Sequence, residues 1–97
     1  MPAYIVLGNF TDQGVRAVKD TVKRADAVRD AAGRFGVKMN SIYWTHGAYD
    51  IVAQFDAESD AAMTAFSLAV ASQGNVRLQT LRAFDRDELT EVLAKLP

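Results

Sequence analysis

The residues with chemical potential lie close together in one segment. Tyr43-Trp44-Thr45-His46-Gly47-Ala48-Tyr49-Asp50 carries the only histidine of the chain four residues from a carboxylate, with tyrosines on either side. If His46 turns toward Asp50, the pair is a carboxylate-oriented imidazole that can shuttle a proton, or a haem or metal ligand completed by a second subunit. Asp50 alone can act as a general base or accept a hydrogen bond from a ligand, and a semi-enclosed apolar cavity raises the pKa of such a carboxylate. Arg77 can bind an anionic group. Plainer readings stand beside these. His46 is a solvent-exposed turn residue, Asp50 is the salt-bridge partner of Arg77 or Arg82, and Tyr43, Trp44 and Phe84 are core or interface residues. Gly47 takes a positive φ in a hairpin loop.

Composition removes most other chemistry. There is no cysteine, so disulfides, thiolate catalysis, zinc ribbons and iron–sulfur clusters are absent, and a single His precludes a multi-His metal site within one chain. No Gly-rich phosphate loop, nucleophile elbow, paired-carboxylate spacing or HExxH occurs. No cofactor and no metal are implied. Eleven Lys and Arg against twelve Asp and Glu give a net charge of -1, which offers no attraction to nucleic acid or an acidic membrane surface. With 49% hydrophobic and 24% charged residues, 97 residues are expected to form one domain spanning 1–97. The longest apolar segment, Ala3 to Gly8, is far below the ~20 residues of a membrane span, and no basic stretch precedes it, so a cytoplasmic chain is expected.

The elements that position the candidates follow from periodicity. Ala3-Tyr4-Ile5-Val6-Leu7-Gly8 reads as a strand apolar on both faces. Val15, Val18, Val22, Ala25, Val28, Ala32 and Phe35 recur every three or four residues and predict a helix ending near Gly33 or Gly36. Arg16, Lys19, Asp20, Lys23, Asp26, Asp30 and Arg34 form its solvated side. Val37 to Thr45 and Tyr49 to Phe55 read as a hairpin. Asp56 or Ser59 caps a second helix with Ala62, Phe66, Ala69 and Val70 as its stripe and Gly74 at its end. Asn75 to Phe84 is a fourth strand, and a last short helix packs through Leu89, Val92, Leu93 and Leu96.

The order β-α-β-β-α-β with an added helix is ferredoxin-like: an antiparallel four-stranded sheet with two helices on one face. Tyr4 and Val6 point to one side of the first strand and Ala3, Ile5 and Leu7 to the other. The face without helices therefore needs a cover, and a second copy of the chain is the simplest one. Two such faces enclose a cavity for a small ligand. Asp50, with the parity of Val52 and Gln54, falls on this open face together with Arg77 and Gln79. Tyr49 has the parity of Ile51, Ala53 and Phe55, which turns it toward the helices with its hydroxyl bonded locally.

Gly47-x-Tyr49-Asp50 followed by an apolar strand resembles the signature of the GYD family of small bacterial proteins. Thr11-x-x-Gly14, Arg24-Ala25, Gly74-Asn75-Val76-Arg77 and Thr80-Leu81-Arg82-Ala83-Phe84 extend the resemblance along the chain. It implies a dimeric α+β barrel, an architecture shared by cofactor-free oxygenases, isomerases, haem-binding peroxidases and effector-binding domains. Two functions are expected. One is a ligand-binding or assembly module, a homodimer or higher oligomer, whose pocket of Tyr43, His46, Tyr49, Asp50, Gln54 and Arg77 takes a small, anionic molecule. The other is a cofactor-independent monooxygenase- or isomerase-like enzyme, with Asp50 or His46 as base and Tyr43 or Tyr49 as hydrogen-bond partner.

Overall fold

Alternation along the first strand, β1 (Ala3–Phe10), sorts the molecule into two faces. Tyr4 and Val6 are buried under helices, while Ile5 and Leu7 are half-buried on the opposite side. A computed structural model describes residues 1–97. After β1 come α1 (Asp12–Arg16), α2 (Thr21–Ala32), β2 (Val37–Trp44), β3 (Ile51–Ala57), α3 (Asp60–Ala71), β4 (Val76–Ala83) and α4 (Arg86–Leu93). The strands lie in the order β2-β3-β1-β4, every neighbouring pair antiparallel, which is the ferredoxin-like arrangement. The core sits between the sheet and α2 and α3. Its buried members include Val37, Met39, Ala53, Phe55, Met63 and Phe66, with the Phe66 ring edge-on to both Phe35 and Phe55.

The side-chain alternation of β2 is interrupted by a bulge. Met39 lies opposite Phe55 and Ser41 opposite Gln54, so one extra residue, Asn40, is bulged out of the ladder. The bulge reverses the parity of the strand. Val37 and Met39 face the helices before it, Ile42 and Trp44 after it, and Tyr43 is left on the open face opposite Val52.

The long helix expected from Val15 to Phe35 is broken. Thr11 caps α1 by accepting from the Gly14 N–H, and Ala17, at φ -106 and ψ 26, ends it. A 3-10 turn at Val18–Asp20 leads into α2. The break turns the first part of the apolar stripe outward: Val15, Val18 and Val22 are 57%, 41% and 57% exposed. The packed face of α2 is Arg24, Ala25, Val28 and Ala32. At its far end Gly36 takes the left-handed conformation at φ 72 and turns the chain into β2.

Two of the sequence motifs, Thr11-x-x-Gly14 and Gly74-Asn75-Val76-Arg77, meet at one end of the sheet. The Thr11 hydroxyl donates to the Gly74 carbonyl at 2.5 Å, the Thr11 N–H donates to the Asn75 carbonyl at 3.1 Å, and the Gln13 amide donates to Gln73 O and Asn75 Oδ1, each at 3.0 Å. Gly14 is buried against this turn so closely that a Cβ would lie 2.0 Å from the Asn75 oxygen. The glycine is a requirement of that approach. Gly74, at φ 85, makes the turn itself.

Ser59, rather than Asp56, caps α3, accepting from the Ala62 N–H at 3.1 Å. Asp85 and Glu88 form a full capping box on α4. The apolar stripe of α4 exists, but its partner is not in the chain. Leu89, Val92, Leu93 and Leu96, expected to pack, are 46%, 40%, 54% and 64% exposed, and the tie of α4 to the sheet is the ion pair of Glu88 with Arg82. The molecule is 52 Å long in its greatest dimension. No helix is long and apolar enough to cross a membrane.

Candidate functional site

The open face of the sheet carries most of the candidates. Cross-strand register places Tyr43, Val52, Leu7 and Gln79 in one row and Ser41, Gln54, Ile5 and Leu81 in the next. Neighbouring strands run ~4.8 Å apart, so a row spans roughly 14 Å. Ile5, Leu7 and Val52 on the two inner strands and Leu81 on the edge strand β4 form an apolar patch, bordered by Ser41, Tyr43, Gln54 and Gln79. Tyr43 is 63% exposed and Leu81 41% exposed. Arg77 stands opposite Asn9, beyond these rows and free of any ion pair; the chain's two salt bridges are Arg29 to Asp26 and Arg82 to Glu88. Gln54 and Arg77 are separated by two strand spacings and four residues, roughly 16 Å, so within one protomer they do not converge.

Asp50 has a different partner from the arginines expected for it. Its N–H donates to the Gly8 carbonyl at 2.9 Å, and its carboxylate accepts from the Phe10 N–H at 2.9 Å. The backbone pairing of β3 with β1 stops at Gly8 and Ile51. Asp50 thus adds one more rung with its side chain, satisfying a main-chain donor that the end of β3 leaves unpaired. No ion pair joins it to Arg77 or Arg82.

Two further bonds close the hairpin: the Thr45 N–H donates to Asp50 O at 2.8 Å and the Thr45 hydroxyl to Tyr49 O at 2.5 Å. Gly47 sits at φ 150 at the loop's apex with open space around its α-carbon. The positive φ alone accounts for it. His46 is exposed and makes no hydrogen bond to Asp50, so the imidazole–carboxylate pair is not assembled. Tyr49 departs from its parity, because β3 begins only at Ile51; its hydroxyl donates to Gln79 Oε1 at 3.2 Å, across the chain and toward the open face.

At the other end of β1 the Tyr4 hydroxyl bonds the Asp60 carboxylate, and the Arg82 guanidinium lies 5.7 Å from the Tyr4 ring centre and 4.5 Å from that of Phe84. Burial, then the Asp60 hydrogen bond and charge, push the Tyr4 phenol above its ordinary 10.0, with Arg82 acting weakly in the other direction.

On the opposite side of the sheet, between it and the helices, the single chain has a half-open pocket. A cavity of about 90 Å³ sits between the sheet and the two long helices, lined by Val28, Met39, Phe55, Phe66, Trp44 and Arg24 among others. It is continuous in its lining with a groove of about 270 Å³ between α2 and α3, which Arg24, Val28, Phe66, Val70 and Gln73 share. Arg24 is the only charged residue on either surface. A signal for it was present in the sequence. Arg24, Val28 and Ala32 are four residues apart, which sets an arginine on the apolar side of a helix whose other charges lie opposite. No group of His, Asp and Glu is placed to hold a metal ion.

Comparison with known proteins agrees with this architecture. The GYD domain profile matches residues 4–93. The chain is 33% identical over 97 residues, 99% of each sequence, to the glutamine synthetase and cystathionine beta-lyase binding protein of Thermus thermophilus. Among solved structures it is similar to TTHA0845, also from Thermus thermophilus, with a TM-score of 0.57 and 22% identity, covering 88% of this chain and 95% of that one. FFRP-DM1 gives the same TM-score of 0.57 at 13% identity, over 87% of this chain and 100% of the other. Those two likenesses bear on fold alone. The chain belongs to the GYD domain family.

Proposed function

We propose that the chain is a single-domain binding module that pairs with a second copy through the open faces of the two sheets and docks, as that homodimer, on a protein partner. The observation that carries this reading is the unpartnered apolar patch formed by Ile5, Leu7, Val52 and Leu81 on the face without helices. A four-stranded sheet of seven- to eight-residue strands covers roughly 19 by 25 Å, so two copies face to face bury on the order of 1,000 Å² of projected area. Specific interfaces begin near ~1,200 Å². The exposed stripe of α4 is a second apolar surface available for association.

The site chemistry supports binding over turnover. One oxygen of Asp50 is engaged by the Phe10 N–H, and His46 stands apart in an exposed loop, so neither is set up as a base. In the dimer, Tyr43, Gln54, Gln79 and Arg77 of two faces frame the seam, where Arg77 is free to take a small anionic molecule. For the partner, the relative's name points to enzymes: that protein binds glutamine synthetase and cystathionine beta-lyase. We assign this chain the same kind of partner and, with it, a cytoplasmic setting.

Biolayer interferometry with glutamine synthetase and cystathionine beta-lyase of the source organism, immobilised in turn, tests the assignment. Saturable binding to at least one enzyme, weakened by Leu81→Glu on the open face, is expected. Binding to neither at tens of micromolar would overturn the enzyme-docking reading.

A further inference from the structure

We propose that the cavity between the long helices and the sheet is a binding site for a small apolar monocarboxylate, with the Arg24 guanidinium pairing the carboxylate. The site is distinct from the open face and does not depend on how that face is used. Three observations on Arg24 carry the inference. Its Nη2 is withdrawn from solvent and has no hydrogen-bond partner, whereas its Nη1 donates to the Ala17 carbonyl at 2.9 Å. That carbonyl is offered by the break between α1 and α2, which holds the guanidinium in place instead of leaving it to extend into water. No carboxylate lines the cavity or the groove, so the cation lacks a counter-charge on either surface.

A guanidinium held among apolar groups favours an anion strongly, and its planar fork matches a carboxylate. The remainder of the lining specifies the rest of the ligand. Val28, Met39, Phe55, Phe66 and Val70 offer aliphatic and aromatic surface suited to a short branched chain or one ring. The cavity is smaller than the ~150 Å³ apolar cavity known to admit benzene. The adjoining groove, edged by Ala27, Ala31 and Ala69, gives an entrance and room for the part that does not fit beneath. Buried water alone satisfies Nη2 only in part, since it leaves the charge uncompensated.

Methyl-detected NMR on the native protein, titrated with sodium benzoate and sodium isovalerate, reads the site directly. Benzamide serves as the uncharged control and sodium chloride as the salt control. Either acid is expected to saturate shifts of the Val28, Met39, Met63 and Val70 methyls, with the open-face Ile5, Leu7 and Leu81 methyls unmoved. Benzoate should bind at least tenfold more tightly than benzamide. Arg24→Gln, which keeps a donor for Ala17 but no charge, should weaken the acids by roughly ten- to a hundredfold, the span of one hydrogen bond to a charged group. The comparison of benzoate with benzamide needs no variant, so it stands even if Arg24→Gln does not fold. Absence of saturable shifts up to millimolar acid, equal affinity for benzamide, or shifts confined to the open face would each overturn the proposal.

Discussion

Replacing Asp50 separates the role found for it from the one its position on the sheet had suggested. Its carboxylate accepts from the Phe10 N–H at 2.9 Å in a partly buried setting. Asp50→Ala leaves that main-chain donor without a partner at the end of β1, and a hydrogen bond to a charged acceptor is worth about 1.5–3 kcal/mol. Asp50→Asn keeps a carbonyl oxygen at the same position and loses only the charge, so the remaining bond is worth about 0.5–1.5 kcal/mol. The difference predicts a graded series, with Asn costing about 1 kcal/mol and Ala about 2. In a domain of this size each kcal/mol moves the melting temperature by roughly 4–8 °C. Thermal unfolding followed by far-ultraviolet circular dichroism at pH 7 and matched protein concentration should therefore place Asp50→Asn about 5 °C and Asp50→Ala about 10 °C below the parent. Equal losses for the two variants would mean that charge, not the extra rung, is what matters. A rise in either would mean an unsatisfied carboxylate in a ligand cavity, and would restore Asp50 as a candidate base.

Other substitutions probe the surroundings. Gly14→Ala drives a Cβ to 2.0 Å from the Asn75 carbonyl and should destabilise by at least ~1–3 kcal/mol, whereas Gly33→Ala, with open space around it, should be neutral or raise stability by up to ~1 kcal/mol; urea unfolding of the two variants gives opposite signs. Tyr4, whose phenol titrates above 10.0 when folded, contributes stability that is complete below the unfolded pKa and is lost as pH rises through the folded one. Chemical denaturation across the alkaline range should show a steeper loss of stability in the parent than in Tyr4→Phe, and parallel curves would contradict the assignment.

Several of these features were open to sequence reasoning and others were not, for physical reasons. The β-former run at Ala3–Gly8 and the glycines at 36, 47 and 74 announce strands and turns because their signals are local. The break after α1 carries no such mark: Ala17 is a good helix former, and the short α1 before it is packed by Gly14 against Asn75, a contact from about sixty residues away. The bulge at Asn40 likewise shows in the sequence only as blurred alternation. For Asp50, pairing by charge pointed to an arginine, but the group that lacked a partner was a main-chain N–H, which no list of side chains reveals. The leucines of α4 form the stripe expected of them, while what covers that stripe depends on a surface beyond the chain. Arg24 was legible only if an arginine on the apolar side of a helix is treated as a question about its counter-ion.

Assembly through the open face is the central claim, and sedimentation equilibrium measures it most directly. Across micromolar loadings the native chain is expected to fit a mass of twice 10.6 kDa or a higher multiple, and Leu81→Glu, folded by circular dichroism, to fit 10.6 kDa. A native chain that sediments at 10.6 kDa throughout, or a Leu81→Glu variant that stays fully associated, would contradict it.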